Sequence, residues 1–485
     1  MSMEAGLHDR TRLVRSAPAP QVGMVHLGPG AFFRAFNAVY THEAMTAEGG
    51  DWGIVAVSLR SPTAHDQLDP QGSVYHSVTL SSEGPKPQLI GSVVRTLVAP
   101  DDSGAVVAAM ADPSVKIVSL TITEKGYCHK PSDGKLNLQH PDIAHDLKAL
   151  SQPVSAIGFI VAALAARRAA GDAAFTVLSC DNLPSNGALA RGMVLEFAQN
   201  VDADLAAWIE AHVRFPSSMV DRITPATTDE DIAALSQITG TLDLGCVFHE
   251  SFRQWVVEDD FANGRPAWDA VGVQFVSSVD AHELMKLRCL NGTHSTLAYL
   301  GYLAGFETIA ETVADPDFAA LCEMLWKDEI IPTLPQPDGE DLPAYCATLM
   351  ARYKDTSIRH RTWQIAMDGS QKLPQRLLGT IADNLAMGQS APCLYLAVAA
   401  WMVYVGGVDE NGGDIDVRDP LADALKAASD SAKDASGKVD AILAFPAIFP
   451  DTLARNTKFR DGVVAAYDAL AKDGAVAAVR RMIRA

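Results

Sequence analysis

The first half of the chain alternates short apolar runs with longer stretches of helical spacing. Residues 21–28 (QVGMVHLG), 51–60 (DWGIVAVSLR), 115–123 (VKIVSLTIT) and 173–182 (AAFTVLSCDN) are rich in Val, Ile and Leu and do not alternate strictly with polar residues. Continuous apolar runs predict strands of a parallel sheet covered on both faces, because a half-exposed strand would alternate. Between them, residues 31–45, 155–171 and a segment from about Gly187 carry helical spacing. Strands alternating with helices predict a doubly wound α/β domain.

From about Val279 strand-like runs nearly vanish, and Ala/Leu-rich helical spacing continues to the C-terminus. A chain of 485 residues exceeds what one core holds, so two domains are expected, 1–278 and a mainly α-helical 279–485. Residues 335–343 and 406–420 read as loops. Residues 384–408 carry no charge over 25 positions, long enough for a membrane span. Pro392 near the start and Gly406-Gly407 at the end instead predict a buried core helix.

Composition narrows the partners. The net charge of −20, from 39 basic and 59 acidic residues, argues against a nucleic-acid or anionic membrane partner. An anionic substrate stays open, because a pocket can be locally positive on an acidic protein. Seven scattered cysteines without a CxxC pair predict no disulfide framework, no zinc cluster and a reducing, cytoplasmic setting. The first twenty residues lack an apolar h-region, so no secretory signal is expected.

The densest chemistry is KLRCLNGTHS, residues 286–295. On an α-helix at about 100° per residue, with Glu283 at zero, Lys286 falls near about −60°, Asn291 about +80° and His294 about +20°. Four polar side chains then share one face of an otherwise apolar helix. Burying them together is unfavourable unless they satisfy one another or a ligand, so a catalytic site is expected rather than a polar seam. The 279 boundary places this motif on the first helix of the second domain, at an expected interdomain cleft.

The first strand runs into Gly28-Pro29-Gly30 and then a helix opening with Ala31 and Phe32. Gly28 permits a tight turn and Gly30 a close pyrophosphate, as in a Rossmann-type dinucleotide site, although Phe33 replaces the third glycine of GxGxxG. The second strand ends in Arg60 without a carboxylate, so the sequence allows NADP as well as NAD. Thr123, Glu124 and Asn182 stand at strand ends, where an open α/β sheet binds its ligand. Asp181-Asn182 also reads as a helix cap. Asp221 and Arg222 lie adjacent in an apolar setting, where a structural ion pair is the rival reading. Arg359, His360, Arg361, Lys372 and Arg376 form a basic cluster, read equally as a carboxylate grip or a solvated face.

With KLRCLNGTHS, the stretches TITEKGY (121–127), SCDN (179–182), FPSSMVDRITPAT (215–227), FRQWVVEDDF (252–261) and DGSQKLP (368–374) make the chain resemble the mannitol dehydrogenase family. The resemblance covers roughly residues 22–470 of this metal-independent, polyol-specific group. Residues 263–276, 359–378 and 407–420 are most similar to its fructuronate reductases, also called mannonate oxidoreductases, with the mannitol 2-dehydrogenases next. The resemblance implies a Rossmann-type N-terminal domain, a mainly helical C-terminal domain and no metal. It implies hydride exchange between NAD(H) and a sugar acid or polyol: D-fructuronate/D-mannonate first, D-fructose/D-mannitol or D-arabinitol second. The catalytic lysine falls on Lys286 and its companions on Asn291 and His294. Asn182 would hold the reacting oxygen, and Asp221 and Lys372 would contact substrate. Phe33 and Phe36 stand where the family usually has histidines.

Without a metal, a lysine can take the alcohol proton only if its pKa falls from about 10.4 toward neutrality. Burial and the nearby Arg288 would lower it. Glu283 is expected to relay the proton, unless it merely pairs with Lys286 one turn on. Arg359 and Arg361 would meet a substrate carboxylate. A small-molecule partner and a monomer or weak homo-oligomer are expected. A non-catalytic NAD-binding sensor is the competing class, and it would need only the Gly28–Gly30 turn.

Overall fold

The computed structural model describes residues 10–81, 83–130, 134–410 and 412–484. Residues 1–9, part of the stretch expected to lack a secretory signal, lie outside the described residues. The chain forms two compact units, divided between Asp280 and Ala281.

In chain order, the strands of the first unit are β1 (Val22–Leu27), β2 (Gly53–Ser58), β3 (Tyr75–Thr79), β4 (Lys86–Ile90), β5 (Val93–Val98), β6 (Ile117–Leu120), β7 (Thr176–Ser179), β8 (Ser218–Asp221), β9 (Val247–His249), β10 (Gln254–Glu258) and β11 (Gln274–Val276). Five of them make an all-parallel sheet in the order β5-β2-β1-β6-β7. The chain runs outward from β1 to β5 and then crosses back to β6, so the order reverses between β1 and β6. A doubly wound sheet binds its ligand at that reversal, beyond the carboxyl ends of the strands.

Period-two alternation divides each strand between two cores. Val25 and Leu27 of β1 face Ile157, Ile160, Leu164 and Phe197. Met24 belongs to the opposite core, with Phe36, Tyr40, Trp255 and Trp268. The four expected strands are shorter than the apolar runs that announced them. Strand β5 was not among them; it lies at the sheet edge, and Arg95 and Thr96 interrupt its apolar run. Two smaller sheets, β4-β3-β9 and β11-β10-β8, were also absent from the expected set.

The helix expected over 31–45 is two helices, Ala31–Ala35 and Asn37–Glu48, broken at Phe36 (φ −130°, ψ −83°). The break has identifiable donors. The Tyr75 hydroxyl donates to the Arg34 carbonyl at 2.7 Å, and Arg222 Nη1 donates to the Ala35 carbonyl at 2.6 Å. Those carbonyls are therefore satisfied from outside the helix. The helix Ala156–Ala170 begins where Ser155 Oγ accepts the Gly158 N–H, and it ends at a left-handed Gly171 (φ 77°).

The second unit is helical, and its described residues contain no named strand. Its core is built round Pro392–Val405, in which nearly every side chain is buried. The uncharged run is thus a core helix, and the Glu329 carboxylate sits at its start, accepting the N–H groups of Cys393 (2.7 Å) and Leu394 (2.9 Å). Among the described residues, no helix is long and apolar enough to cross a membrane.

Candidate active site

In the first unit a cavity of about 470 Å³ opens beyond the carboxyl ends of β1, β2 and β6. Gly28, Gly30, Arg60 and Thr123 line it, joined by Arg34 and Ser155. Gly28 has φ +94°, and a Cβ there would lie 2.1 Å from the Thr121 carbonyl oxygen, so only glycine fits. A Cβ on Gly30 would meet nothing within 4 Å, which leaves the space a pyrophosphate needs. Beneath the turn, His26 Nδ1 meets Ser119 Oγ at 2.8 Å and Nε2 meets Thr121 Oγ1 at 2.8 Å. Burial pushes the His26 pKa down to about 3, so its ring is a neutral spacer. Phe33 stacks on that ring at 3.7 Å, and Phe36 packs on Tyr40 and Trp255. Phe33 and Phe36 are therefore core aromatics.

The other expected cofactor residues are less central. Ala31 and Phe32 are half-buried, with Phe32 stacked on Phe36 at 4.9 Å, and Glu124 is exposed, 3.7 Å from His129 Nε2. Arg60 forms an ion pair with Asp142. Asp142, His140 and Cys128 bring three ligand-type atoms within 4.8 Å of one another, but the Arg60 guanidinium already occupies that carboxylate.

Asn182 is exposed at the carboxyl end of β7, and Asp221 is buried at the end of β8 opposite Gln254 of β10. Arg222 does not serve mainly as an ion-pair partner. Its Nη1 and Nε donate to the carbonyls of Ala35 (2.6 Å) and Glu250 (3.3 Å), and burial, then Arg253, lowers its pKa to about 10.

The motif in the second unit departs from α geometry. A helix Asp280–Met285 passes into a π turn, Lys286–Gly292, and then into an α-helix, Thr293–Leu303. Two of the π turn's carbonyls accept from distant side chains: Cys289 from Trp326 Nε1 at 2.9 Å and Leu290 from the Tyr353 hydroxyl at 2.9 Å. These donors stabilise the wider turn. Its i→i+5 bonding brings residues five apart toward the same side, whereas α geometry would separate Lys286 and Asn291 by about 140°. Lys286 is 8% exposed. The Asn291 amide makes no hydrogen bond among the described residues, and His294 Nε2 is buried without a partner. Arg288 faces elsewhere, donating to Thr333 Oγ1 and pairing with Asp383 at 2.6 Å. Its charge is paired there.

The basic cluster divides. Arg359 and Arg361 are exposed. Lys372 turns inward, donating to the carbonyls of Ile365 (3.3 Å) and Met367 (2.5 Å), and burial, then Arg376, lowers its pKa to about 8. Burial holds the His294 pKa well below its ordinary value, followed by His360, Arg376, Arg352 and Lys372. His360, its ring 5.1 Å away, is itself lowered to about 4, chiefly by burial.

The mannitol dehydrogenase Rossmann domain matches residues 22–270, and the mannitol dehydrogenase C-terminal domain matches residues 278–471. The chain belongs to the mannitol dehydrogenase family. It is 48% identical to the D-mannonate oxidoreductase of Escherichia coli (strain K12), over 93% of this chain and 94% of that one. A Pseudomonas fluorescens mannitol 2-dehydrogenase, solved as a ternary complex with NAD and D-mannitol, is 39% identical with a TM-score of 0.84, covering 98% of this chain and 97% of that one. A substrate-free D-sorbitol dehydrogenase is 31% identical with a TM-score of 0.87, covering 98% and 99%.

Two residues of this mannitol dehydrogenase family member were missed by sequence reasoning. Arg34 is 9% exposed and lines the cavity beyond β1, β2 and β6; Nη1 donates to the Gly245 carbonyl at 2.7 Å, while Nε is buried without a partner. A buried cation there suits a pyrophosphate. Asp181, read from sequence as half of a cap, holds the turn after β6. It accepts from the N–H groups of Ile122 (3.2 Å) and Thr123 (2.8 Å) and from the Tyr127 hydroxyl (2.8 Å). The sequence signal for both was a charge inside an apolar run.

Proposed function

We propose that the protein interconverts a sugar acid and its keto form with NAD, D-mannonate and D-fructuronate being the pair. One observation carries the choice of an acid over a neutral polyol. In a chain of net charge −20, Arg376 reaches Ser295, the residue next to His294, and after burial and His360 the groups that lower the His294 pKa are the cations Arg376, Arg352 and Lys372. A locally positive site favours an anionic substrate. The 48% identity to a D-mannonate oxidoreductase supports the same reading.

In this reading bound NAD supplies hydride transfer, and the chain's own groups handle the proton and the oxygen. Lys286 Nζ takes the hydroxyl proton as hydride departs and returns it in the reverse direction. Asn291, with its amide unengaged, and Asn182 donate to the oxygen as negative charge develops. His294, kept neutral, orients a substrate hydroxyl. Asp221 and Lys372 position the remaining hydroxyls, and Glu283 relays the proton to solvent. The seven cysteines are all free and buried, which suits a reducing cytoplasm.

Initial rates of NADH and NADPH oxidation with D-fructuronate, D-tagaturonate, D-fructose and D-xylulose test the proposal. D-fructuronate with NADH should be fastest. Faster turnover of D-fructose would favour the polyol reading that the D-mannitol complex of the Pseudomonas fluorescens enzyme represents.

A further inference from the structure

We infer that Arg376 recognises the substrate carboxylate, its guanidinium fork held in place by Ser295; this rests on the sugar-acid reading above. Arg376 lies in a second π turn, Pro374–Leu378, packed against the first. The two approach closely because Gly292 has no side chain: a Cβ there would stand 2.8 Å from the Arg376 carbonyl oxygen. The side chain then reaches Ser295, the residue after His294, and Nη1 donates to Ser295 Oγ at 3.1 Å.

That is the sole hydrogen bond of the Arg376 side chain among the described residues, and no carboxylate pairs with it. Burial lowers its pKa, and the groups acting in the other direction are the phenols of Tyr299 and Tyr353. A guanidinium keeps its charge in a protein, so the remaining donors of half-buried Arg376 stand without an anion. Three other arginines, all more deeply buried, are held by more partners than Arg376, although the Nε of Arg167 and of Arg288, like that of Arg34, has none. Arg288 has Asp383 and Thr333, Arg222 has two carbonyls, and Arg167 has the carbonyls of Ala173 (2.6 Å) and Val115 (2.6 Å). The planar fork matches a carboxylate through paired N–H donors, which an ammonium cannot reproduce. A neutral ketose would leave those donors unpaired, so Arg376 discriminates by what happens in its partner's absence. Arg359 and Arg361 are exposed, whereas Arg376 is half-buried.

Steady-state kinetics with D-fructuronate and D-fructose, NADH saturating, test the assignment in Arg376→Gln, Arg376→Lys and Ser295→Ala. Melting curves and NADH fluorescence titrations establish that each variant is folded. Arg376→Gln should lower kcat/KM for D-fructuronate by about 100-fold or more relative to D-fructose, largely through KM. Arg376→Lys should recover part of the loss, and Ser295→Ala should show a smaller loss in the same direction. Equal falls for both substrates, or an unaltered preference, would overturn the assignment. If the wild type itself prefers D-fructose, the sugar-acid reading fails. Arg376 is then judged by D-mannonate inhibition of D-fructose reduction, which Arg376→Gln weakens if the carboxylate binds there and leaves unchanged if it does not.

Discussion

A Cβ on Gly292 would stand 2.8 Å from the carbonyl oxygen of Arg376, so two π turns meet where there is no room for a side chain. The obstructing atom belongs to the backbone and cannot swing aside. Gly292→Ala should therefore push the turns apart and displace the adjacent Asn291. We expect kcat/KM to fall at least about tenfold and stability to drop by about 1–3 kcal/mol. Urea unfolding and steady-state kinetics on the same preparation check both, and unchanged kinetics would mean that the close approach is not functional.

Lys286 tests the base assignment. Lys286→Ala should lower kcat by about 10²–10⁴-fold, the usual share of a general base. NADH affinity, measured by fluorescence titration, should stay within a few-fold of wild type. Small primary amines should restore part of the rate as pH rises, since they replace the missing group. Wild-type turnover near neutral pH in the variant would rule Lys286 out as the base.

Much of the site was legible as chemistry and little of it as geometry. Lys286, Asn291 and His294 stand out because polar residues in an apolar run need a reason. Their arrangement on a π turn depends on Trp326 and Tyr353, separated from their acceptors by 37 and 63 residues. A local angular count contains neither. Arg288 reads as a neighbour of Lys286 until Asp383, 95 residues on, is seen to neutralise it. The basic cluster after Arg359 reads as one patch, but it divides into exposed Arg359 and Arg361 and inward Lys372 and Arg376. Helix boundaries set by distant contacts decide which side chains turn in. The parallel sheet was legible where strands are buried on both faces and missed at β5, an edge strand whose apolar run is interrupted by Arg95 and Thr96.

Two neutral histidines give the first unit a pH dependence. His249 Nδ1 meets the Glu250 carbonyl at 2.8 Å and Nε2 meets Ser77 Oγ at 2.8 Å, and burial lowers its pKa to about 3, as it does for His26. In the unfolded chain both titrate near about 6.5. Between that value and about 3 the unfolded state binds more protons, so stability is full above pH 6.5 and falls as the pH drops. Each histidine should remove about 1 kcal/mol by pH 5.5. Asp181 and Glu329, raised by burial, act in the opposite direction. Urea unfolding at pH 7.5 and 5.5 measures the slope, and His249→Gln should flatten it; an unchanged slope would place the titrating groups elsewhere.

Glu329 carries the last prediction. It is 2% exposed, and its two carboxylate oxygens accept the N–H groups of Cys393 and Leu394, which open the helix Pro392–Val405. A helix start buried in an apolar core has no water to satisfy those donors, and the carboxylate also meets the positive end of the helix dipole. Glu329→Ala leaves both donors unpaired and should cost about 2–4 kcal/mol. Glu329→Gln keeps one acceptor oxygen and should cost about half as much. Near room temperature kcat/KM should stay close to wild type, because Glu329 serves the core rather than the substrate. Thermal unfolding with parallel kinetics separates the two roles. A fall in kcat/KM without a fall in melting temperature would show that this carboxylate does more than cap a helix.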